Sequence, residues 1–125
     1  SDQFACGQCH PAPLFSTFER ENIGLTGYEK DAGRFRVTLD SLDIGKFKVP
    51  TLRSVALTAP YMHDGRYQSL EEVLDYFDSG GTSHPNQSLW IRSIGMTQNE
   101  KKALIAFLGA LTDEEFIRKA QFQVE

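Results

Sequence analysis

The sequence predicts one small, mainly α domain with long loops, and three observations predict it. The second half holds three segments with apolar residues at helical spacing, each behind a capping signal. The first half is broken by Gly24, Gly27, Gly33, Gly45 and Gly65 and by Pro11, Pro13, Pro50 and Pro60. Cys6, Cys9 and His10 stand together at the start of it. Composition agrees with one globular domain over residues 1–125, at 40% hydrophobic and 24% charged. Thirteen Lys and Arg against 17 Asp and Glu give a net charge of -4. That balance argues against a nucleic-acid binder, which presents a basic face. No apolar run is long enough to predict a membrane span, and no signal peptide is visible.

The chemistry begins at Cys6-Gly7-Gln8-Cys9-His10. This is the Cys-x-x-Cys-His pattern of covalent c-type haem attachment. Two thiols about one helical turn apart can each form a thioether to a haem vinyl group, and the next histidine offers an imidazole nitrogen to the iron. A zinc site needs about four ligands, and there is no second cysteine pair. A thioredoxin-like thiol pair would need a neighbouring βαβ pattern, which is absent. A plain disulfide leaves His10 unexplained. Covalent haem implies assembly outside the cytoplasm, so the expected location is the periplasm.

The long irregular stretch from Pro11 to Gln68 fits loops that wrap a haem, since compact domains rarely hold such stretches otherwise. Within it Phe35, Val37 and Leu39 alternate with Arg36, Thr38 and Asp40. The alternation predicts a short strand, paired with 46–49 across an Asp43–Gly45 turn. Pro50 suits the first turn of a short helix over Thr51 to about Leu57, with Pro60 beyond its end.

In the second half Ser69 and Glu72 make a capping box, and Gly80-Gly81 stops the helix after about Asp78. Leu70, Val73, Leu74 and Phe77 form its stripe. Thr97 and Glu100 cap a second helix carrying Ala103, Leu104, Phe107, Leu108 and Leu111. Thr112 and Glu115 predict a third cap, before Phe116 and Ile117.

These residues together resemble the C-terminal haem domain of the di-haem cytochrome c peroxidase and MauG family, over nearly the whole chain. The resemblance rests on Cys6–His10, Pro13-Leu14-Phe15, Asn22-Ile23-Gly24-Leu25 and Gly33-Arg34-Phe35. Its most specific block runs from Phe47 to Gly65 and includes Pro50-Thr51-Leu52-Arg53 and Pro60-Tyr61-Met62-His63-Asp64-Gly65. Leu70–Val73 with Gly80-Gly81 and, more loosely, Met96–Lys101 complete it.

The resemblance implies a cytochrome-c-like helical domain around one covalent haem c, with His10 as the proximal iron ligand. It implies half of an enzyme that reduces hydrogen peroxide, working with an N-terminal haem domain and a small redox donor protein. The five residues before Cys6 are about one helical turn, and a longer first helix is usual in this fold; a fragment is expected. The sixth iron ligand, methionine in typical peroxidases and tyrosine in MauG-like proteins, falls by position on Phe77, which has no lone pair. A five-coordinate iron, Tyr76 reached through a local irregularity, or Met62 or Met96 are the alternatives, and the apolar Phe77 favours an open or weakly occupied position. His63 is expected beside the haem, in a structural or propionate contact or as a proton shuttle, and Arg53 as a propionate partner or a surface salt bridge. His84 is expected to be exposed. Trp90 is a core residue or lies near an electron path. Glu21 stands where the family often has histidine. No convincing calcium ligands are visible. The competing reading is a mono-haem electron carrier without peroxide chemistry.

Overall fold

The computed structural model of the chain describes residues 4–120. Residues 1–3, part of the expected lead-in to Cys6, lie outside the described residues. In chain order the elements are α1 (Cys6–Cys9), β1 (Arg20–Glu21), α2 (Phe35–Thr38), β2 (Phe47–Lys48), α3 (Leu70–Ser79), α4 (Gln98–Ala110) and α5 (Glu114–Ala120). Tight helical turns at Ser41–Asp43 and Val55–Leu57 join them. No helix among the described residues is long and apolar enough to cross a membrane.

The two long helices form where their caps predict. Ser69 accepts from the Glu72 N–H and Glu72 reaches back to the Ser69 N–H, which satisfies two of the orphan donors of α3. Thr97 and Glu100 do the same for α4. Gly80 ends α3 in the left-handed region at φ 88°, and a Cβ there would lie 2.4 Å from the Ser93 nitrogen. The cap of α5 moves by one residue, because Asp113 rather than Thr112 accepts the Phe116 N–H. Asp78 joins α3 to α4: it accepts from the Met96 N–H at 2.7 Å and pairs with Lys101 at 2.9 Å.

Two expectations fail in the first half. Residues 35–40 make no strand; Phe35–Thr38 is one helical turn. The Asp43 carboxylate gathers Arg34, Thr38 and Lys46 around itself at 3.0, 2.9 and 3.2 Å, and this closes the segment into a compact loop. Val37 and Leu39 stay 86% and 75% exposed, and only Phe35 of the apolar alternation is half-buried. The real partner of β2 is β1, antiparallel, with Arg20 opposite Lys48 and Glu21 opposite Phe47. The helix expected after Pro50 shrinks to the turn Val55–Leu57. Long-range bonds take the rest of that segment: Thr51 Oγ1 donates to the Leu14 carbonyl, Leu52 N–H to Phe15 and Ser54 N–H to Leu111.

The core is thin. Leu25, Val49, Leu70, Leu74 and Met96 are its buried apolar residues, and no large side chain among the described residues is fully enclosed. Leu14, Leu57, Phe107 and Phe116 remain exposed. A self-contained core of this chain length would enclose several such side chains.

Candidate functional site

The site starts at α1, a single turn that carries Cys6 and Cys9. The His10 N–H donates to the Cys6 carbonyl at 2.9 Å and closes the turn. Both cysteines are free, Cys6 exposed and Cys9 half-buried. Burial pushes the Cys6 thiol up, against a smaller opposing bond to its own backbone. Burial, then the Glu21 carboxylate, then Cys6 push the Cys9 thiol up. These are protonated thiols, unlike the depressed thiolates of redox-active Cys-x-x-Cys pairs.

His10 Nδ1 lies 2.9 Å from the Phe15 carbonyl. As the donor to that oxygen, Nδ1 carries the proton and Nε2 keeps its lone pair for a metal. Burial lowers the imidazole pKa, while the backbone oxygens of Phe15 and Pro50 oppose that shift. The loop that supplies this carbonyl is pinned on the far side. Ser16, itself buried, donates to the Val49 carbonyl at 2.8 Å, and Arg53 Nε donates to Pro13 at 3.0 Å. Thr17 N–H returns to the Cys9 carbonyl at 2.9 Å. Phe15 packs edge-on against Phe107 of α4, with centroids 6.1 Å apart.

The donor set therefore fits a covalent haem. Two unpaired thiols sit one turn apart, and the adjacent imidazole is oriented through its other nitrogen. Among the described residues no three His, Cys, Asp or Glu side chains gather as a cage for a bare metal ion.

The remaining predicted residues fall in three places. Tyr76 and Phe77 are half-buried on α3, rings edge-on at 5.7 Å. The Tyr76 hydroxyl donates to the Ile23 carbonyl at 2.8 Å. Its pKa is pushed up to about 12, by burial first and Tyr67 second. His63 is exposed and stacks on Phe47 at 3.7 Å, with Met62 before it in the left-handed region at φ 72°. Met96 is buried just before the Thr97 cap of α4. Arg53 makes its backbone bond at the rim of a broad hollow that it shares with Phe15 and Leu111. Trp90 is 49% exposed and so is no core residue.

His84 is half-buried, contrary to the exposure expected. Its Nδ1 lies 3.1 Å from the Asn22 amide nitrogen and accepts the Asn86 N–H at 3.0 Å, with Tyr28 edge-on at 4.5 Å. Asn22, only 2% exposed, is the hub of these loops: it also donates to Ile44 and accepts from the Gly24 N–H. Sequence reasoning missed that hub. The signal was the Asn22-Ile23-Gly24 run, where an asparagine side chain can bond the backbone two residues on.

No family model matches the chain. Individual proteins do. The chain is 34% identical to the cytochrome-c peroxidase IdrP1 of Pseudomonas sp. (strain SCT), over 88% of this chain and 37% of that protein. It is 36% identical to the methylamine utilization protein MauG of Methylorubrum extorquens, over 87% of this chain and 31% of that protein. Among solved structures, a MauG-like protein associated with microbial copper homeostasis superposes with a TM-score of 0.85 and 33% identity, over 91% of this chain and 41% of that one. The helical fold with its small two-stranded sheet is thus similar to a MauG-like fold. The chain spans less than half the length of these relatives.

Proposed function

The chain belongs to the family of the cytochrome-c peroxidases and MauG proteins, and from that footing we propose that it is one haem c domain of a two-haem peroxidase-like oxidoreductase. The domain relays electrons for the reduction of hydrogen peroxide, or takes a direct part in it. The observation that carries this reading is the α1 turn, with Cys6 and Cys9 unpaired and His10 held through Nδ1. We place the domain in the C-terminal half of a periplasmic protein, beside an N-terminal haem domain and fed by a small redox donor protein.

The haem, when bound, supplies the one-electron couple and the iron that peroxide chemistry needs. The chain's residues do the rest. Cys6 and Cys9 would tether the group, and His10 Nε2 would ligate its iron. The Phe15 carbonyl fixes the tautomer and angle of that imidazole. The loop around Ser16, Thr51 and Arg53 keeps this carbonyl in place. The thin core supports a domain that packs its apolar side chains on a large flat group. Among the candidates for a further iron ligand, Phe77 offers no lone pair, and the Tyr76 hydroxyl already donates to the Ile23 carbonyl. Met62 and Met96 remain as thioether alternatives, and an open sixth position is the arrangement we favour. His63, exposed and stacked on Phe47, can hold or pass a proton at its ring nitrogens.

The test is the visible spectrum of periplasmically produced protein, recorded oxidised, reduced, and oxidised with peroxide. A high-spin ferric spectrum that peroxide alters quickly is the expected result. A low-spin spectrum that peroxide leaves unchanged would replace direct participation with electron relay.

A further inference from the structure

The chain from Tyr61 to Tyr67 is a closed hairpin. Its ends pair across an antiparallel bridge, the Tyr61 N–H donating to the Tyr67 carbonyl at 2.7 Å. At the tip the Gly65 N–H donates to the Met62 carbonyl at 3.2 Å, and Met62 and Gly65 hold positive φ, 72° and 69°. A methionine in that region is strained, and such a conformation persists only where its surroundings over-determine it. Two contacts do so. The His63 ring lies flat on Phe47 of β2, with centroids 3.7 Å apart and planes at 14°. Arg66 reaches a loop 40 residues away: its Nη2 donates to the Thr26 carbonyl at 2.6 Å and its Nη1 to Thr26 Oγ1 at 3.3 Å. Asp64 steadies the same guanidinium, its Oδ2 accepting from Nε at 2.8 Å and from Nη2 at 2.6 Å. A surface ion pair contributes little by itself. The bonds to Thr26 are what tie the tip to a distant segment. Thr26, Phe47 and His63 also line one hollow of about 10 Å³, room for about one water. The Arg66 bonds and the ring stack thus close on each other with little slack.

We infer that Arg66 is a positioning residue: its guanidinium latches the Tyr61–Tyr67 hairpin to Thr26 and so fixes the His63 ring over Phe47, where it holds or passes a proton. This deepens the reading of His63 given above and rests on it. The planar fork suits the task. One edge faces the Asp64 carboxylate while the outer nitrogens face the Thr26 carbonyl and hydroxyl, which sets an angle as well as a distance. A lysine ammonium is a single point charge and cannot fix that angle. An acid or base works only within hydrogen-bond reach of its proton, and a misplacement of about 1 Å can slow a reaction by up to about 10²-fold. Arg66 itself transfers no proton. It acts through the place it gives His63.

The test compares the haem-loaded chain with Arg66→Gln, Arg66→Lys, His63→Gln and the double variant of His63→Gln with Arg66→Gln. Lys119→Gln, which breaks an exposed ion pair of α5, is the control. The first readout is the nuclear Overhauser contact between the His63 and Phe47 rings in the ferrous, carbon-monoxide-bound form, which is diamagnetic. It should be present in the unmutated chain and in Lys119→Gln and be lost in both Arg66 variants. The second readout is the rate at which peroxide alters the ferric spectrum. His63→Gln should slow it by about 10²-fold and each Arg66 variant by about tenfold. The double variant should be no slower than His63→Gln, because Arg66 acts through that ring. An unmoved contact or an unmoved rate in whichever Arg66 variant folds overturns the inference, and so do losses that add in the double variant. Any of these leaves the reading of His63 intact. Absence of covalent haem, a spectrum that peroxide does not alter, or a rate that His63→Gln leaves unchanged overturns that reading and the inference with it.

Discussion

Tyr76 and the attachment cysteines differ in how far their roles reach along the chain. Cys6, Cys9 and His10 sit within five residues of one another, so their relation was plain in the sequence. The roles of Tyr76 and His84 depend on partners 53 and 62 residues away, Ile23 and Asn22, and no local pattern announces such pairs. The bond from Tyr76 to Ile23 and the burial of its ring yield one prediction each. Replacing Tyr76 with Phe should cost about 1 kcal/mol in urea denaturation, the usual worth of one hydrogen bond. It should leave the oxidised spectrum unchanged; a shifted spectrum would mean that Tyr76 ligates the iron. The second concerns alkali. Tyr76 titrates near 10 when unfolded and near 12 when folded, so its contribution is complete below pH 10. The contribution is then lost as pH rises from 10 through 12. Stability measured across that range should fall more steeply in the unmutated chain than in Tyr76→Phe.

At the scale of elements, the helices were legible because their signals are local. Capping boxes and a stop glycine act within four residues, and α3 and α4 obey them. The first half was misread where long-range bonds outweighed pattern. The alternation at 35–40 looked like a strand, yet the Asp43 carboxylate organises it. Pro50 looked like a helix start, yet bonds to Leu14, Phe15 and Leu111 hold that segment out of a regular helix. The end of α3 is tested by Gly80→Ala. Its φ of 88° and the 2.4 Å approach of a Cβ to the Ser93 nitrogen should together cost more than the roughly 1 kcal/mol of conformational strain alone. Thermal denaturation checks this, and Ser69→Ala at the other end should cost about 1 kcal/mol.

At the scale of the whole molecule, the small buried core and the exposed phenylalanines on α4 and α5 have one explanation. In the reading proposed above, the domain would complete its packing on a haem and against a second haem domain. The haem reading rests on a local pattern, Cys6 to His10, that needs no fold to be seen. The thin core was not legible in the sequence, because apolar stripes read alike whether they face other side chains or a cofactor. A haem tethered to Cys6 and Cys9 stays on the chain when it unfolds, so it would stabilise the folded state through the apolar contacts it makes only there. A Cys6→Ser, Cys9→Ser chain should therefore melt at a lower temperature and over a broader range than the unmutated protein, as followed by far-UV circular dichroism.

The central claim is that Cys6 and Cys9 carry a haem, and the most direct measurement is the intact mass of the denatured chain after production in a periplasm with haem-attachment machinery. The account predicts a gain of one haem that survives denaturation and disappears from the Cys6→Ser, Cys9→Ser variant. A chain that keeps two free thiols and gains no mass would contradict it.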